Sequence, residues 1–224
     1  MNVNVTQADM QGMMNRLMRL ARLDTTVFDE VRLDPGATIP SLVVMAASTF
    51  LAGLGGLLYW MITLNIPSVP GVSISRGTGA FFLKSTIMGS VFAIALWVAW
   101  VLLVYIILTQ LFKEQADAQQ LLRTMGMAAI PLALTFFMFI PQVDFGIGLI
   151  SLALLFGLTT VAIQAATKAD VAKVLVANTA GFAVWALVLT LLAGNISLSG
   201  NGLSPNIYAP GIFSFGASFG GYAF

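Results

Sequence analysis

The chain has 224 residues and a net charge of +1, with 58% hydrophobic and 8% charged residues. Because soluble domains carry about 25% charged residues, this composition excludes an ordinary soluble domain and predicts a membrane protein. The chain contains no cysteine and no histidine. Disulfides, thiol nucleophiles, Cys/His zinc sites and histidine-ligated haem are therefore excluded, since each needs one of those side chains.

The first predicted element is a helix in the N-terminal segment, residues 1–38. Within residues 9–22, apolar side chains recur at helical spacing and polar side chains fill the opposite face. The apolar set is Met10, Met13, Met14, Leu17, Met18, Leu20 and Ala21, and the polar set is Gln11, Asn15, Arg16, Arg19 and Arg22. Arginines opposite bulky apolar residues are typical of an amphipathic helix that lies in the membrane interface.

Three interpretations of this amphipathic helix stay open. It anchors the N-terminus in the plane of the membrane, it docks onto the cytoplasmic face of the same protein, or it recruits another protein. The methionines favour an adaptable surface, because unbranched thioether chains repack against varied partners. The residues expected to contact the membrane or a recruited partner are Arg16, Arg19, Arg22, Met13, Met14 and Leu17.

Five long stretches without a charged residue follow within residues 39–193. They cover residues 39–64, 85–112, 124–143, 145–167 and 174–193. Each is near or above the roughly 20 residues that cross a bilayer as a helix. The predicted fold class is an all-α membrane protein, a bundle of five transmembrane helices with an N-terminal amphipathic interfacial helix. Pro131 lies inside the third span and predicts a kink there.

Lysine and arginine are concentrated on one side of this predicted topology. The N-terminal segment and the loops after the second and fourth spans hold eight of the ten basic residues, and the loop after the first span holds the other two. Cytoplasmic loops carry the excess of basic residues. We therefore expect a cytoplasmic N-terminus, an outer C-terminus and, if the source is prokaryotic, a location in the plasma membrane.

The predicted spans contain neutral polar groups and small residues. Asn178 lies a few residues inside the fifth span, where an interhelical hydrogen bond and a ligand contact are both possible. Small residues let helices pack closely, within the chain or against another membrane protein. They recur in the first, fourth and fifth spans as Ser48, Ala52, Gly53, Gly55 and Gly56, as Ala162, Ala165 and Ala166, and as Ala177, Ala180 and Gly181.

The last predicted segment is the tail of residues 194–224. It is uncharged and rich in Gly, Ser and Asn, with aromatic residues interspersed. This composition is typical of a flexible low-complexity tail. The aromatic residues also leave open that the tail packs against a partner or against the outer face of the bundle.

The order of these features resembles the Yip family of membrane proteins, named as Ypt/Rab-interacting proteins. Residues 23–35, LDTTVFDEVRLDP, and residues 121–131, LLRTMGMAAIP, carry the resemblance. It implies a five-span helical protein without known catalytic activity; eukaryotic relatives act in vesicle trafficking with prenylated small GTPases. The short N-terminal region is similar to the prokaryotic branch, where such partners are not expected. The motif residues carried over are Asp34, Pro35, Gly126 and Pro131, with structural roles only.

We expect a non-catalytic scaffold, adaptor or membrane-organising protein without cofactor, metal or nucleic acid. The spans offer no Ser/His pair, no pair of carboxylates and no phosphate-binding glycine loop. The expected partners are the lipid bilayer and other membrane proteins, contacted through the small-residue faces and the aromatic tail. The alternatives are a permease or channel subunit for a neutral or apolar solute, with a path near Pro131 and Asn178, or an accessory subunit of a larger membrane complex.

Overall fold

The computed structural model describes residues 7–64, 82–140, 143–193, 196–197 and 204–205. These residues form seven α-helices: α1 (Gln7–Ala21), α2 (Val27–Leu33), α3 (Thr38–Leu64), α4 (Gly89–Ile106), α5 (Ala118–Met127), α6 (Asp144–Thr167) and α7 (Val171–Ala193). A 3-10 turn, Pro35–Ala37, joins α2 to α3, and a 3-10 helix, Ile130–Phe139, follows α5. Two π-helical segments, Phe82–Met88 and Ile107–Leu111, flank α4. Two-residue strands, β1 (Ile196–Ser197) and β2 (Ser204–Pro205), pair in antiparallel orientation.

Five helices in this part of the chain are long and apolar enough to cross a membrane. They are Pro35–Leu58, Thr86–Leu111, Ala118–Phe139, Asp144–Thr167 and Val171–Thr190. The prediction of a helical chain with five such helices is therefore confirmed. A helix satisfies its own backbone hydrogen bonds, so an apolar environment favours it over any open structure.

The five helices form a closed ring of neighbours. The first packs against the second and third, the third against the fourth, the fourth against the fifth, and the fifth returns to the second. Three tryptophans fill the interior where α4 meets α7. Trp97, Trp100 and Trp185 are each only 1% exposed.

The third span differs from its prediction in where it begins and in how it accommodates Pro131. It begins at Ala118, where the Asp117 carboxylate accepts a hydrogen bond from the Gln119 N–H. Instead of kinking an α-helix, the chain leaves α5 at Met127 and continues as a ten-residue 3-10 helix with the proline in its first turn. Proline has no N–H and clashes with the carbonyl four residues before it, so an α-helix cannot continue through this position undisturbed. The hydroxyl of Ser151 on α6 donates to the Pro131 carbonyl at 2.7 Å.

The small residues lie at close helix contacts within the chain. An added Cβ at Gly126 on α5 would lie 2.9 Å from the carbonyl oxygen of Ser41 on α3, and one at Gly181 on α7 would collide with the Trp100 ring. Ala52, Ala162 and Ala177 are fully buried as well. These residues therefore set the spacing between helices of the same chain.

Two of the sequence predictions fall largely outside the described residues. The aromatic residues of the tail, Tyr208, Phe213, Phe215, Phe219, Tyr222 and Phe224, lie outside them, and so does Arg76 in the loop after the first span.

We predict that Gly126→Ala destabilises the bundle, because the new methyl group must push α5 away from the α3 backbone. Overpacking of this kind costs about 1–3 kcal/mol. Thermal unfolding in detergent should show a lower midpoint for this variant. The matched control is Gly157→Ala on α6, where nothing lies within 4 Å of an added Cβ, and an unchanged or higher midpoint is expected there. Equal midpoints for the two variants would contradict the close α3–α5 contact.

Candidate functional site: the N-terminal platform

The candidate site is the N-terminal platform, which we define as α1, α2 and the turn Pro35–Ala37. Its centre is the buried face of α2. Val27, Phe28 and Val31 are 0% exposed, and α2 lies against both α5 and α6. Their spacing places the three side chains on one face of a helix, with Asp29 and Glu30 on the exposed side. The α2 helix is therefore part of the hydrophobic core.

Arg19 joins α1 to α2 through three hydrogen bonds. Its Nε donates to Asp24 Oδ2 at 2.8 Å, Nη1 to Glu30 Oε1 at 2.7 Å and Nη2 to Thr26 Oγ1 at 2.9 Å. Only a guanidinium presents donors in such a rigid fork, so lysine cannot replace these contacts. The chain reverses at Leu23, which adopts a positive φ of 60°.

Two carboxylates at the platform, Asp24 and Asp29, have lowered pKa values. A hydrogen bond from the Thr26 hydroxyl, followed by one from Arg19, lowers the pKa of Asp24 from 3.8 to about 2. A hydrogen bond from Lys168, at the end of α6, lowers the pKa of Asp29. The Lys168 Nζ–Asp29 Oδ1 distance is 2.6 Å. This ion pair ties α2 to the loop between α6 and α7.

The motif residues Asp34 and Pro35 form the junction between the platform and the first span. Asp34 Oδ1 accepts the Gly36 N–H at 2.9 Å, and Oδ2 accepts Arg16 Nη2 at 2.8 Å. Pro35 opens the 3-10 turn, where a missing N–H costs no hydrogen bond. The Thr38 hydroxyl donates to the Pro35 carbonyl at 3.0 Å. Asp34 thus fixes the direction in which the chain enters α3. Through Arg16, it also holds α1 next to this junction.

The apolar residues predicted on α1 divide between two faces. Met13 and Leu17 are partly buried and pack, with the fully buried Leu20, against the core of the platform. Met14 and Met18, one turn apart, are 52% and 49% exposed. Arg22 is also exposed and forms no ion pair among the described residues. The platform therefore keeps an apolar outer edge at Met14 and Met18.

Arg123 is a buried residue of the site that the sequence prediction placed in a loop. It lies in α5 and is 5% exposed, and its Nη1 donates to the Arg32 carbonyl at 3.1 Å. Its buried Nε has no hydrogen-bond partner. The free carbonyls at the end of a helix carry partial negative charge, so a cation is stabilised there. In the sequence, Arg123 is the single charged residue within the mostly apolar stretch 121–130. This isolation is the signal that could have indicated a buried arginine.

Gly126 and Pro131, the other motif residues, lie in the third span, Gly126 at its contact with α3 and Pro131 at the change from α-helix to 3-10 helix. The structure therefore separates the four motif residues into the platform junction and the third span. Both places set the path of the backbone.

Asn178 lies within the bundle, away from the platform, and is fully buried. Its Oδ1 accepts Trp100 Nε1 at 3.2 Å. Its Nδ2 donates to Thr159 Oγ1 and Thr160 Oγ1 at 3.0 Å and 2.8 Å, and it also lies 3.2 Å from the Phe156 carbonyl oxygen. The amide joins three helices, α4, α6 and α7, and both its donor and its acceptor atoms have partners.

The groups of the platform are ion pairs and an apolar edge, and the described residues contain no group of three or more His, Cys, Asp or Glu side chains placed to hold a metal ion. Comparison with family models, with curated proteins and with solved structures finds no match for this chain.

We predict that Arg19→Gln loosens α1, because glutamine cannot serve the three acceptors on α2 and its preceding loop. The chain has no native cysteine, so Asn15→Cys, at an exposed position of α1, provides a single site for a nitroxide label. The label should become several-fold more mobile in Arg19→Gln. The control is Arg22→Gln, which removes an exposed arginine without an ion pair in the described chain. Equal mobility in both variants would argue against the Arg19 contacts.

Proposed function

We propose that the protein is a non-catalytic membrane scaffold or adaptor that presents its N-terminal platform to another membrane protein. The observation that carries this proposal is the combination of a buried α2 with an exposed apolar edge on α1. Preorganised surfaces bind with a smaller entropic cost than flexible ones. Methionine is favoured at surfaces that must adapt to a partner.

The orientation that we propose places the platform in the cytoplasm. Arg16, Arg19, Arg32, Arg123 and Lys168 are all joined to the platform by hydrogen bonds or ion pairs, so these basic groups gather at one end of the bundle. The excess of basic residues on cytoplasmic segments supports the assignment of this end to the inside. The bilayer, in our proposal, is the plasma membrane of a prokaryote.

We propose that α1 is an amphipathic helix at the membrane interface. Its inner face, with Leu17 and Leu20, contacts the core of the platform. Met14 and Met18 are left for the interface or a partner, and the exposed Arg22 lies in the turn directly after the helix. Arg16 and Arg19 already pair with carboxylates of the same chain, so they serve the docking of α1 rather than recruitment.

The resemblance to the prokaryotic branch of the Yip family supports the same role. The residues that carry it, Asp34, Pro35, Gly126 and Pro131, lie at positions that set the path of the backbone. Such positions suit a family that shares an architecture and has no common catalytic group.

A permease for a neutral solute is less well supported. Such a protein needs polar side chains that are free to face a path through the bundle. Asn178, a buried amide of the fifth span, makes its hydrogen bonds to Trp100 and to two hydroxyls of α6. This arrangement favours a packed scaffold.

A photo-crosslinking amino acid at Met14 or Met18, introduced into the full-length protein in native membranes, tests the proposal. Both positions should give the same discrete protein adduct, because they lie one turn apart on one exposed edge. The matched control is Leu149 on α6, which is 58% exposed and should give lipid adducts without that protein. Lipid adducts alone at Met14 and Met18 would contradict the adaptor proposal and favour a plain membrane anchor.

A further inference from the structure

A cleft of about 280 Å³ opens between the start of α2 and the end of α6. Its lining combines charged, neutral polar and apolar side chains, and includes Thr25, Asp29, Val161, Gln164, Ala165 and Lys168. All six residues are partly or fully exposed, so a ligand can reach each of them from outside the bundle. Sites for small organic ligands begin at roughly 300 Å³. The cleft is therefore large enough for a small polar group.

The polarity of the cleft changes in one direction along α6. Val161, Gln164 and Lys168 are spaced by three and four residues, so they lie on one face of the helix. Lys168 directly follows the fourth span, Asp144–Thr167, and Val161 lies about 10 Å further into it. The interfacial layer of one bilayer leaflet is about 5–8 Å thick. The cleft thus crosses this layer, from its aqueous side to the edge of the hydrocarbon.

The charged end of the cleft keeps unused hydrogen-bonding capacity. Lys168 Nζ and Arg32 Nε both donate to Asp29 Oδ1, at 2.6 Å and 3.1 Å. Asp29 Oδ2 accepts no hydrogen bond from the described residues, and this contact uses one of the three donors of the Lys168 ammonium. The Lys168 and Asp29 side chains are 56% and 51% exposed. A free carboxylate oxygen and free ammonium donors therefore lie side by side at the mouth of the cleft.

Two neutral polar side chains of the cleft are also without partners in the described part of the chain. They are the Thr25 hydroxyl and the Gln164 amide. By contrast, the Thr160 and Thr167 hydroxyls on α6 donate to the carbonyls four residues earlier. Thr25 and Gln164 can therefore bind the oxygen atoms of a ligand.

We propose that this cleft binds the headgroup of a phospholipid with a primary amine, its phosphate on Lys168 and its ammonium on Asp29 Oδ2. The lining follows the order of groups in such a lipid, in which amine and phosphate are outermost, esters follow and acyl chains lie innermost. Gln164 and Thr25 lie at the level of the esters, and Val161 lies at the level of the first acyl carbons. A headgroup with a net negative charge fits less well, because Asp29 repels it.

Native mass spectrometry of the full-length protein, titrated in detergent with lipids of matched acyl chains, tests this proposal. Phosphatidylethanolamine should bind about five-fold more tightly than phosphatidylcholine, as expected for one hydrogen bond, because a quaternary ammonium has no N–H to donate to Asp29. It should also bind more tightly than phosphatidylglycerol, which has no cationic group. Equal binding of the three lipids, or a preference for phosphatidylglycerol, would overturn the proposal.

Two lysines of the loop after α6 provide matched variants. Lys168→Gln removes the phosphate partner, so phosphatidylethanolamine binding should fall about five-fold. Lys173→Gln breaks an ion pair of the same length, 2.6 Å to Glu114, outside the cleft, and should leave binding unchanged. Equal binding by the two variants would overturn the role of Lys168. Asp29→Asn should abolish the preference over phosphatidylcholine, a change of selectivity that a purely structural role of Asp29 does not produce.

Gln164→Leu tests the cleft without touching an ion pair. The leucine is similar in size and cannot bind an ester, so phosphatidylethanolamine binding should fall about three-fold. This variant decides the question if Lys168→Gln does not fold. Unchanged binding in Gln164→Leu would overturn the proposed position of the lipid.

A soluble phosphate ester with an amine shares the headgroup chemistry of the proposed lipid. Glycerophosphoethanolamine, added at the concentration of the lipid, should not displace it, because it lacks the acyl chains that would contact Val161 and Ala165. Displacement would overturn the lipid assignment and make the cleft a site for a soluble ligand.

Discussion

The burial of α2 between α5 and α6 is the contact on which the N-terminal platform depends. Removing a side chain such as Val or Phe from water contributes about 1.5–3 kcal/mol, and α2 buries three, Val27, Phe28 and Val31. Exposed ion pairs contribute only about 0–1 kcal/mol each. The apolar face therefore supplies the docking energy of α2, and the ion pairs of Arg16, Arg19 and Lys168 set the orientation of the parts around it.

A second constraint is that polar groups inside the bundle must find partners within the chain. The Pro131 carbonyl accepts a hydrogen bond from the Ser151 hydroxyl, and the Trp100 indole N–H donates to the Asn178 side-chain oxygen. Arg123 is partly satisfied in this way, because its Nη1 donates a hydrogen bond to the Arg32 carbonyl at the end of α2. Among the described residues, four buried side-chain atoms depart from this constraint: Ser41 Oγ, Thr86 Oγ1, Trp97 Nε1 and Arg123 Nε.

The five helices could be predicted from the sequence because apolar stretches of about 20 residues have few alternatives in a bilayer. The departures from α-helical geometry could not, since Pro131 indicates a disruption without saying that a 3-10 helix follows it. The burial of Arg123 was missed because charged residues were used to mark the ends of spans. The spacing of Val27, Phe28 and Val31 in the sequence is compatible with one buried helix face. A segment of seven residues is too short for this spacing to establish an amphipathic helix. The split of α1 into an inner and an outer apolar face depends on its partner helices, which a helical wheel does not contain.

The central claim is that the platform is a fixed part of the bundle and not a free arm. Amide hydrogen exchange of the full-length protein in lipid nanodiscs, read out by mass spectrometry, tests it most directly. Slow exchange reports backbone groups held in stable structure. The peptide covering α2 should exchange as slowly as the peptides of α5, against which α2 packs. Exchange of that peptide at the rate of the same sequence free in solution, while α3 to α7 remain protected, would contradict the account.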